Sequence, residues 1–322
     1  MIARKRKPPR LVKAKSRAQY EALKRLNSFL DSNTPKMVRF LIRTWKDQEA
    51  AITYKELRES ILRGTLTQET FQAWQQDYVV FFNRHLKDIL INATTAGGKD
   101  LAAAILAGAD VYAPMLTGID NWITVHGAEW ITQMSDEAKE AVSTMIRYTA
   151  NGNMTVDELA RIIRPTIGLT EQQSLANIHF YENCKERLKK SLMEKYPEMK
   201  EATAEKQAAR RAKESAARYA GRQHRERAQN IAQTELAFAY NKGADDAVHQ
   251  AVDEGLLPRM KAKWSTAADE GVCEICGALD GVEIELGDTF QFKGRSLYAG
   301  QKQTPPAHPR CRCALCYVEA DD

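Results

Sequence analysis

Residues 71–89, FQAWQQDYVVFFNRHLKDI, place Phe71, Trp74, Tyr78, Phe81, Phe82, His85 and Ile89 at i, i+3, i+4 and i+7 intervals. With 3.6 residues per turn this spacing gathers them on one side of a helix, whereas a half-buried strand would alternate every second residue. The run therefore predicts a long helix with a single apolar stripe. His85 falls inside the stripe and has no second metal-type residue spaced to join it, so it is expected to be a partly buried core histidine. The aromatic residues are likewise expected in the core.

The same period extends outward from about residue 18 to 260. Thr53 stands three residues before Glu56, the form of a capping box, and Gly64 suits the end of the short helix that follows. Residues 94–98, two threonines, Ala96, Gly97 and Gly98, are expected to break the pattern, and a small-residue segment and a Trp122–Trp130 stretch follow. Ser135 is placed to cap a helix whose Asp136 and Glu137 meet the positive end of its dipole, with Ala138, Ala141, Val142, Met145 and Ile146 facing inward. Residues 151–153 (NGN) predict a turn. Thr155 with Glu158 and Thr170 with Gln173 form two more capping boxes, and Pro165 separates their helices.

Between 195 and 227 the chain holds ten Lys or Arg against five Glu. Arg210, Arg211, Lys213, Arg218, Arg222 and Arg225 spread around the helix rather than forming one stripe, which predicts a solvent-facing helix or a connection. After Pro258 the character changes. Glycines punctuate short alternating runs such as Val282 to Leu286, the pattern of short strands and turns.

The fold class expected is therefore mainly α: a helical body with a small C-terminal α+β or β-hairpin module, stapled by zinc as argued below. Its divisions are a basic disordered arm (1–17), an N-terminal helical region (18–95), a central helical region (96–194), the charged helix or connection (195–227) and the C-terminal module (228–322).

Composition bounds the function. The 322 residues are 43% hydrophobic and 28% charged, enough to bury a core, and mean hydropathy is −0.50. The longest apolar stretch, from Leu101, falls well short of the roughly 18 residues a membrane span requires. The basic start leads into no apolar segment, so a cytoplasmic origin is expected in place of a secretory one. Arg4, Lys5, Arg6, Lys7, Arg10, Lys13, Lys15 and Arg17 are eight of the chain's 47 cations, and residues 1–20 hold none of its 42 acids. The rest of the chain therefore carries a net charge of −3. A basic arm on a near-neutral body suits a polyanion, and these eight residues are the candidate DNA contacts.

Five of the six cysteines lie in the last fifty residues. Cys273 and Cys276 form C-x-x-C before Gly277, the shape of a knuckle that turns two thiolates toward one ion. His308 and Cys311 repeat the two-residue gap in residues 306–313 (PAHPRCRC). Zinc takes four such ligands, and Cys273, Cys276, His308 and Cys311 are the expected set, with Cys313 as the alternative to Cys311. Soft ligands are in surplus and no carboxylate–histidine arrangement accompanies them, so a closed structural site is expected and no catalytic one. A redox C-x-x-C would want a βαβ context, and disulfides an oxidising compartment. Cys184, alone on a helical face, is expected in the core.

Residues 231–235 (IAQTE), Asn241, Gly243, Trp264, Asp269, the C-x-x-C, residues 279–281 (LDG) and PAHPRCRC, in that order, resemble the signature of the phage Mu F-like head-morphogenesis family. The resemblance covers about 135–316, departing at Gln233, where the family usually has Arg. It implies a virion protein present in few copies, associated with the portal and other head proteins and acting on the path of phage DNA. Such a protein would be made in the host cytoplasm and then carried in the head. From the residues themselves, Thr234, Glu235 and Asn241 are expected to tie their helix to the zinc-bearing segment through Asp269 or Trp264. A zinc-stapled HNH-like nuclease is the enzyme alternative, and it lacks a second histidine in the module. A toxin-like transferase would need a phosphate loop, and a zinc transcription factor a recognition helix.

Overall fold

Hydroxyl caps mark where helices start in this chain. The computed structural model describes residues 15–105, 116–150, 154–267, 271–292 and 300–320. Its elements are α1 (Arg17–Ala51), α2 (Tyr54–Arg63), α3 (Gln68–Phe81), a π turn (Phe82–Leu86), α4 (Lys87–Ile105), α5 (Leu116–Ala150), α6 (Val156–Ile163), a 3-10 turn (Arg164–Thr166), α7 (Glu171–Lys195) and α8 (Glu201–Asp253). Then come β1 (Met260–Ser265), α9 (Glu274–Leu279), β2 (Glu283–Glu285), β3 (Phe290–Phe292), β4 (Gly300–Lys302) and β5 (Ala314–Glu319). With about three quarters of the described residues helical and a small antiparallel sheet near the C-terminus, the fold is mainly α. Among the described residues no helix is long and apolar enough to cross a membrane.

Thr53, Thr155 and Thr170 each accept from the backbone N–H three residues on, and the Glu56, Glu158 and Gln173 side chains reach back, completing all three boxes. Gly64 ends α2 in the left-handed region at φ +80°. A further box went unread: Ser16 and Gln19 bond reciprocally and open α1.

Three local expectations are corrected. Residues 94–98 do not interrupt the helix; α4 runs through them. The small residues there serve packing, because a Cβ on Gly97 would stand 1.9 Å from the Tyr240 carbonyl oxygen, and one on Gly243 would stand 1.8 Å from that of Thr94. Two helix backbones touch where both side chains are absent. Ser135 caps nothing; α5 continues through it, and its Oγ donates to the Ile131 carbonyl one turn back at 2.7 Å. The charged stretch 195–227 is helical, but it has a buried face: Ala204, Ala208, Ala212, Ala216 and Ala220 are each at most 2% exposed. The turn expected at 151–153 lies outside the described residues.

The chain divides into two compact units, one of residues 35–89 and 120–232, the other of 1–34, 90–119 and 233–322. In the first, the helical unit, Leu57, Trp74, Met145, Leu159, Ile163 and Ile178 form the core, with Cys184 at its edge. His85 is half-buried and stacks on Phe40 at 4.4 Å. Helices α7 and α8 form an antiparallel hairpin whose alanine seam permits close approach. Buried Asn177 donates to the Ala216 carbonyl at 3.1 Å, and Gln223 donates to that of Gln173 at 3.0 Å. Buried Arg227 donates to the Gly168 carbonyl at 2.8 Å, pairs with Glu137 and lies over Trp45. One turn away, His224 contacts the Ile167 carbonyl at 2.8 Å, and burial pushes its pKa down to about 4.

The second, cysteine-bearing unit has an antiparallel sheet of order β2-β1-β5. Lys261 opposes Glu285 and Lys263 opposes Glu283 on one face, the latter pair at 2.9 Å. Met260, Ala262 and Trp264 alternate onto the other face and meet Phe290, Leu315 and Tyr317. Tyr240 of α8 donates to Asp100 of α4 at 2.5 Å and packs on Phe29 of α1.

Candidate metal centre

Cys273 has extended backbone and caps α9, its Sγ accepting the Cys276 N–H at 3.3 Å. A single turn of helix thus brings both thiols to one side. Beyond α9, Leu279 is buried and Asp280 accepts the Thr266 N–H at 3.0 Å. Gly281, at φ +79°, sends its N–H to the Trp264 carbonyl at 2.9 Å. The LDG run is therefore the hinge that returns the chain to the sheet. Lys15 adds an ion pair to Asp280 at 2.6 Å. Burial raises the Asp280 pKa, but the Lys15 ammonium and the Thr266 N–H outweigh it and hold the carboxyl below its ordinary value.

The distal segment approaches the knuckle from across the unit. His308 Nε2 lies 3.1 Å from Cys273 Sγ and 3.1 Å from Cys276 Sγ, while its Nδ1 is 2.8 Å from the Pro309 carbonyl. A carbonyl only accepts, so it fixes the proton on Nδ1 and leaves the Nε2 lone pair aimed at the thiols. Cys276 Sγ is 3.7 Å from Cys311 Sγ. Two groups of potential ligands result, Cys273 with Cys276 and His308, and Cys276 with Cys311 and Cys313, each having its ligand atoms within 4.8 Å of one another. Cys276 belongs to both. This Cys/His cluster could hold a metal ion. All six cysteines are free thiols, and Cys276, Cys311 and Cys313 are buried.

Hydrogen bonding among the three inner thiols moves their pKa values in opposite directions. Cys276 is raised, first by donating to Cys311 and next by Cys313 and burial. Cys311 is lowered because Cys276 and Cys313 both hydrogen-bond to it. Cys316 stands apart: it opposes Lys263 in the sheet, on the face away from Trp264.

Helix α8 holds the distal segment by its backbone. Arg310 sits at φ +61°, a left-handed conformation that a side chain rarely adopts. Its N–H donates to Thr234 Oγ1 at 3.1 Å, and its carbonyl accepts from Gln233 Nε2 at 3.0 Å. Buried Asn241 donates to the Cys313 carbonyl at 3.2 Å and accepts the Leu315 N–H at 3.4 Å. On the far side Arg312 reaches Asn27 at 3.0 Å and Asp31 at 2.8 Å on α1.

Thr234 and Asn241 thus reach the cysteine segment directly. The Trp264 side chain is fully buried and meets Phe290 edge-on at 5.0 Å. Glu235 lies half-buried beside Thr234, and Asp269 lies outside the described residues. Gln233, the departure from the resembled pattern, occupies a position that needs a donor, which either Gln or Arg supplies. Of the candidate DNA contacts, Arg4, Lys5, Arg6, Lys7, Arg10 and Lys13 lie outside the described residues. Lys15 is committed to Asp280 with its side chain 8% exposed, and Arg17 is exposed in the first turn of α1. The roles of Lys15, Asn27, Asp31 and Arg312 were not anticipated, and no local spacing signals partners some 265–285 positions apart.

A model of the family described as phage Mu protein F like protein matches residues 150–316. Neither the curated proteins nor the solved structures contain a match to this chain. The family match covers just over half of the 322 residues and takes in α6, α7, α8 and the whole Cys/His cluster. By that match the chain belongs to the phage Mu F-like family of head-morphogenesis proteins.

Proposed function

We propose that this protein is a minor structural component of the phage head. It would dock to the portal and neighbouring head proteins and contact DNA during packaging or delivery, being made in the host cytoplasm and retained in the virion. The observation that carries a structural over a catalytic reading is the enclosure of the candidate metal centre. Cys276, Cys311 and Cys313 are 1–4% exposed, and their segment is pinned by Thr234 and Asn241. Four protein ligands complete the tetrahedral coordination of zinc and would leave no open position for substrate.

The metal we assign is zinc, held by Cys273, Cys276, His308 and Cys311, with Cys313 the substitute for Cys311. Tetrahedral zinc with bonds of about 2.3 Å to sulfur sets its sulfurs about 3.8 Å apart, and Cys276 and Cys311 stand at 3.7 Å. The ion would cross-link the α9 knuckle to the distal segment and supply folding free energy to a module of short strands and loops. The arm cations from Arg4 to Lys13, with Arg17, would contact DNA, and Lys15 would fasten the arm's base to Asp280.

Mass spectrometry of purified heads, with cross-linking, tests the assignment. The chain should be present at a small fraction of the major capsid protein and cross-linked to the portal. Heads assembled normally without it would overturn the reading.

A further inference from the structure

Between α6, α7 and α8 the helical unit has an open groove of about 620 Å³ whose lining includes Glu158, Arg161, Tyr181, Lys206, Arg210 and Lys213. The alanine seam explains why these cations converge. With Ala204, Ala208 and Ala212 turned onto α7, positions 206, 210 and 213, spaced i, i+4 and i+7, share one adjacent face. That face meets Arg161 from α6. Along α8 alone the basic residues encircle the helix; the concentration arises because a second helix adds a cation across the groove.

The acids nearby are already engaged. Glu158 Oε1 accepts from Lys185 at 3.0 Å and from Tyr181 at 3.1 Å, and Oε2 accepts from Thr155. Glu205 pairs with Lys185 at 2.6 Å and with Lys189 at 3.1 Å. Among the described residues no carboxylate pairs with Arg161, Lys206, Arg210 or Lys213. Three of these are exposed, and Lys213 is half-buried. Four uncompensated cations in one concavity repel one another, and an anion entering it relieves that repulsion.

We infer that this groove binds the phosphate backbone of duplex DNA, as a second contact on the folded body, separate from the basic arm. This rests on the DNA-contacting role proposed above. From Lys206 to Lys213 the helix rises about 10 Å, a reach that suits neighbouring phosphates of one strand and calls for no reading of bases. Each phosphate neutralised releases counterions, so binding through the groove carries its own share of the salt dependence.

The test is the slope of log affinity against log salt for a short duplex, measured on the full chain. A Lys206→Gln/Arg210→Gln/Lys213→Gln variant should bind more weakly and flatten the slope by about 2–3, with its helical circular dichroism unchanged. A control of equal charge change off the groove, Arg211→Gln/Arg218→Gln/Arg225→Gln, should alter the slope by less than half as much. Equal flattening by the control, or an unchanged slope in the groove variant, overturns the groove. If deletion of residues 1–13 alone abolishes binding, the groove fails while the DNA-contacting role stands. If the unmodified chain binds no duplex even at low salt, both fail. A groove that serves an acidic protein segment would show as unchanged duplex binding, and that too overturns the inference.

Discussion

The helical unit is held by apolar stripes that run for whole helices, with Trp74, Met145, Leu159, Ile163 and Ile178 meeting in one core. The cysteine-bearing unit has strands of three to six residues and is assembled from three separated stretches of chain. Its core around Trp264, Phe290, Leu315 and Tyr317 is supplemented by named polar ties: Thr234 and Gln233 on Arg310, Asn241 on Cys313 and Leu315, Lys15 on Asp280, Arg312 on Asn27 and Asp31. The contrast teaches where a metal is worth having. Long helices bury enough area to fold by hydrophobic transfer, while short strands and loops leave a deficit that cross-links must offset.

The contrast breaks most visibly at Cys276, the thiol common to both ligand groups. Cys276→Ser should release the metal and melt residues 260–319 at temperatures where the helical unit still gives its full helical signal. A single transition in which both units melt together would refute the division. Acid should weaken the opposite unit. His224 titrates near 4 in the native state and near 6.5 when unfolded. Its contribution is fully present above pH 6.5 and is lost as the pH falls from 6.5 through 4, on the order of 3 kcal/mol. An NMR titration checks this: an imidazole midpoint near 6.5 in the folded protein would contradict it. The smallest effect sharpens the account of the ties. Gln233→Ala should cost the cysteine-bearing unit about 1 kcal/mol in denaturant melts, and Gln233→Arg, which keeps a donor, should cost less.

Much of this was legible in the sequence. The stripe from Phe71 to Ile89, the threonine caps and the C-x-x-C knuckle are local signals, each set by residues within a turn or two. Gly97 was misread for a physical reason. A glycine that ends a helix and one that admits a neighbouring backbone look alike until the neighbour, here the Tyr240 carbonyl of α8, is known. Ser135 has the same ambiguity, since a hydroxyl can cap a helix or bond backward within one. In the candidate centre the Cys and His residues were visible by their spacing, and Thr234 and Asn241 by their place on the helix. The backbone groups they hold were not, because a left-handed Arg310 leaves no mark in spacing. The basic groove was hidden likewise: Arg161 joins Lys206, Arg210 and Lys213 only once α6 is folded beside α8.

The central claim is that a metal staples the cysteine-bearing unit, and elemental analysis of the purified full-length chain with thiol counting under denaturation tests it most directly. The account predicts about one zinc per chain and, after chelation, all six cysteines titrating as free thiols. No bound metal together with fewer than six thiols would mean disulfides hold the unit, and would contradict the account.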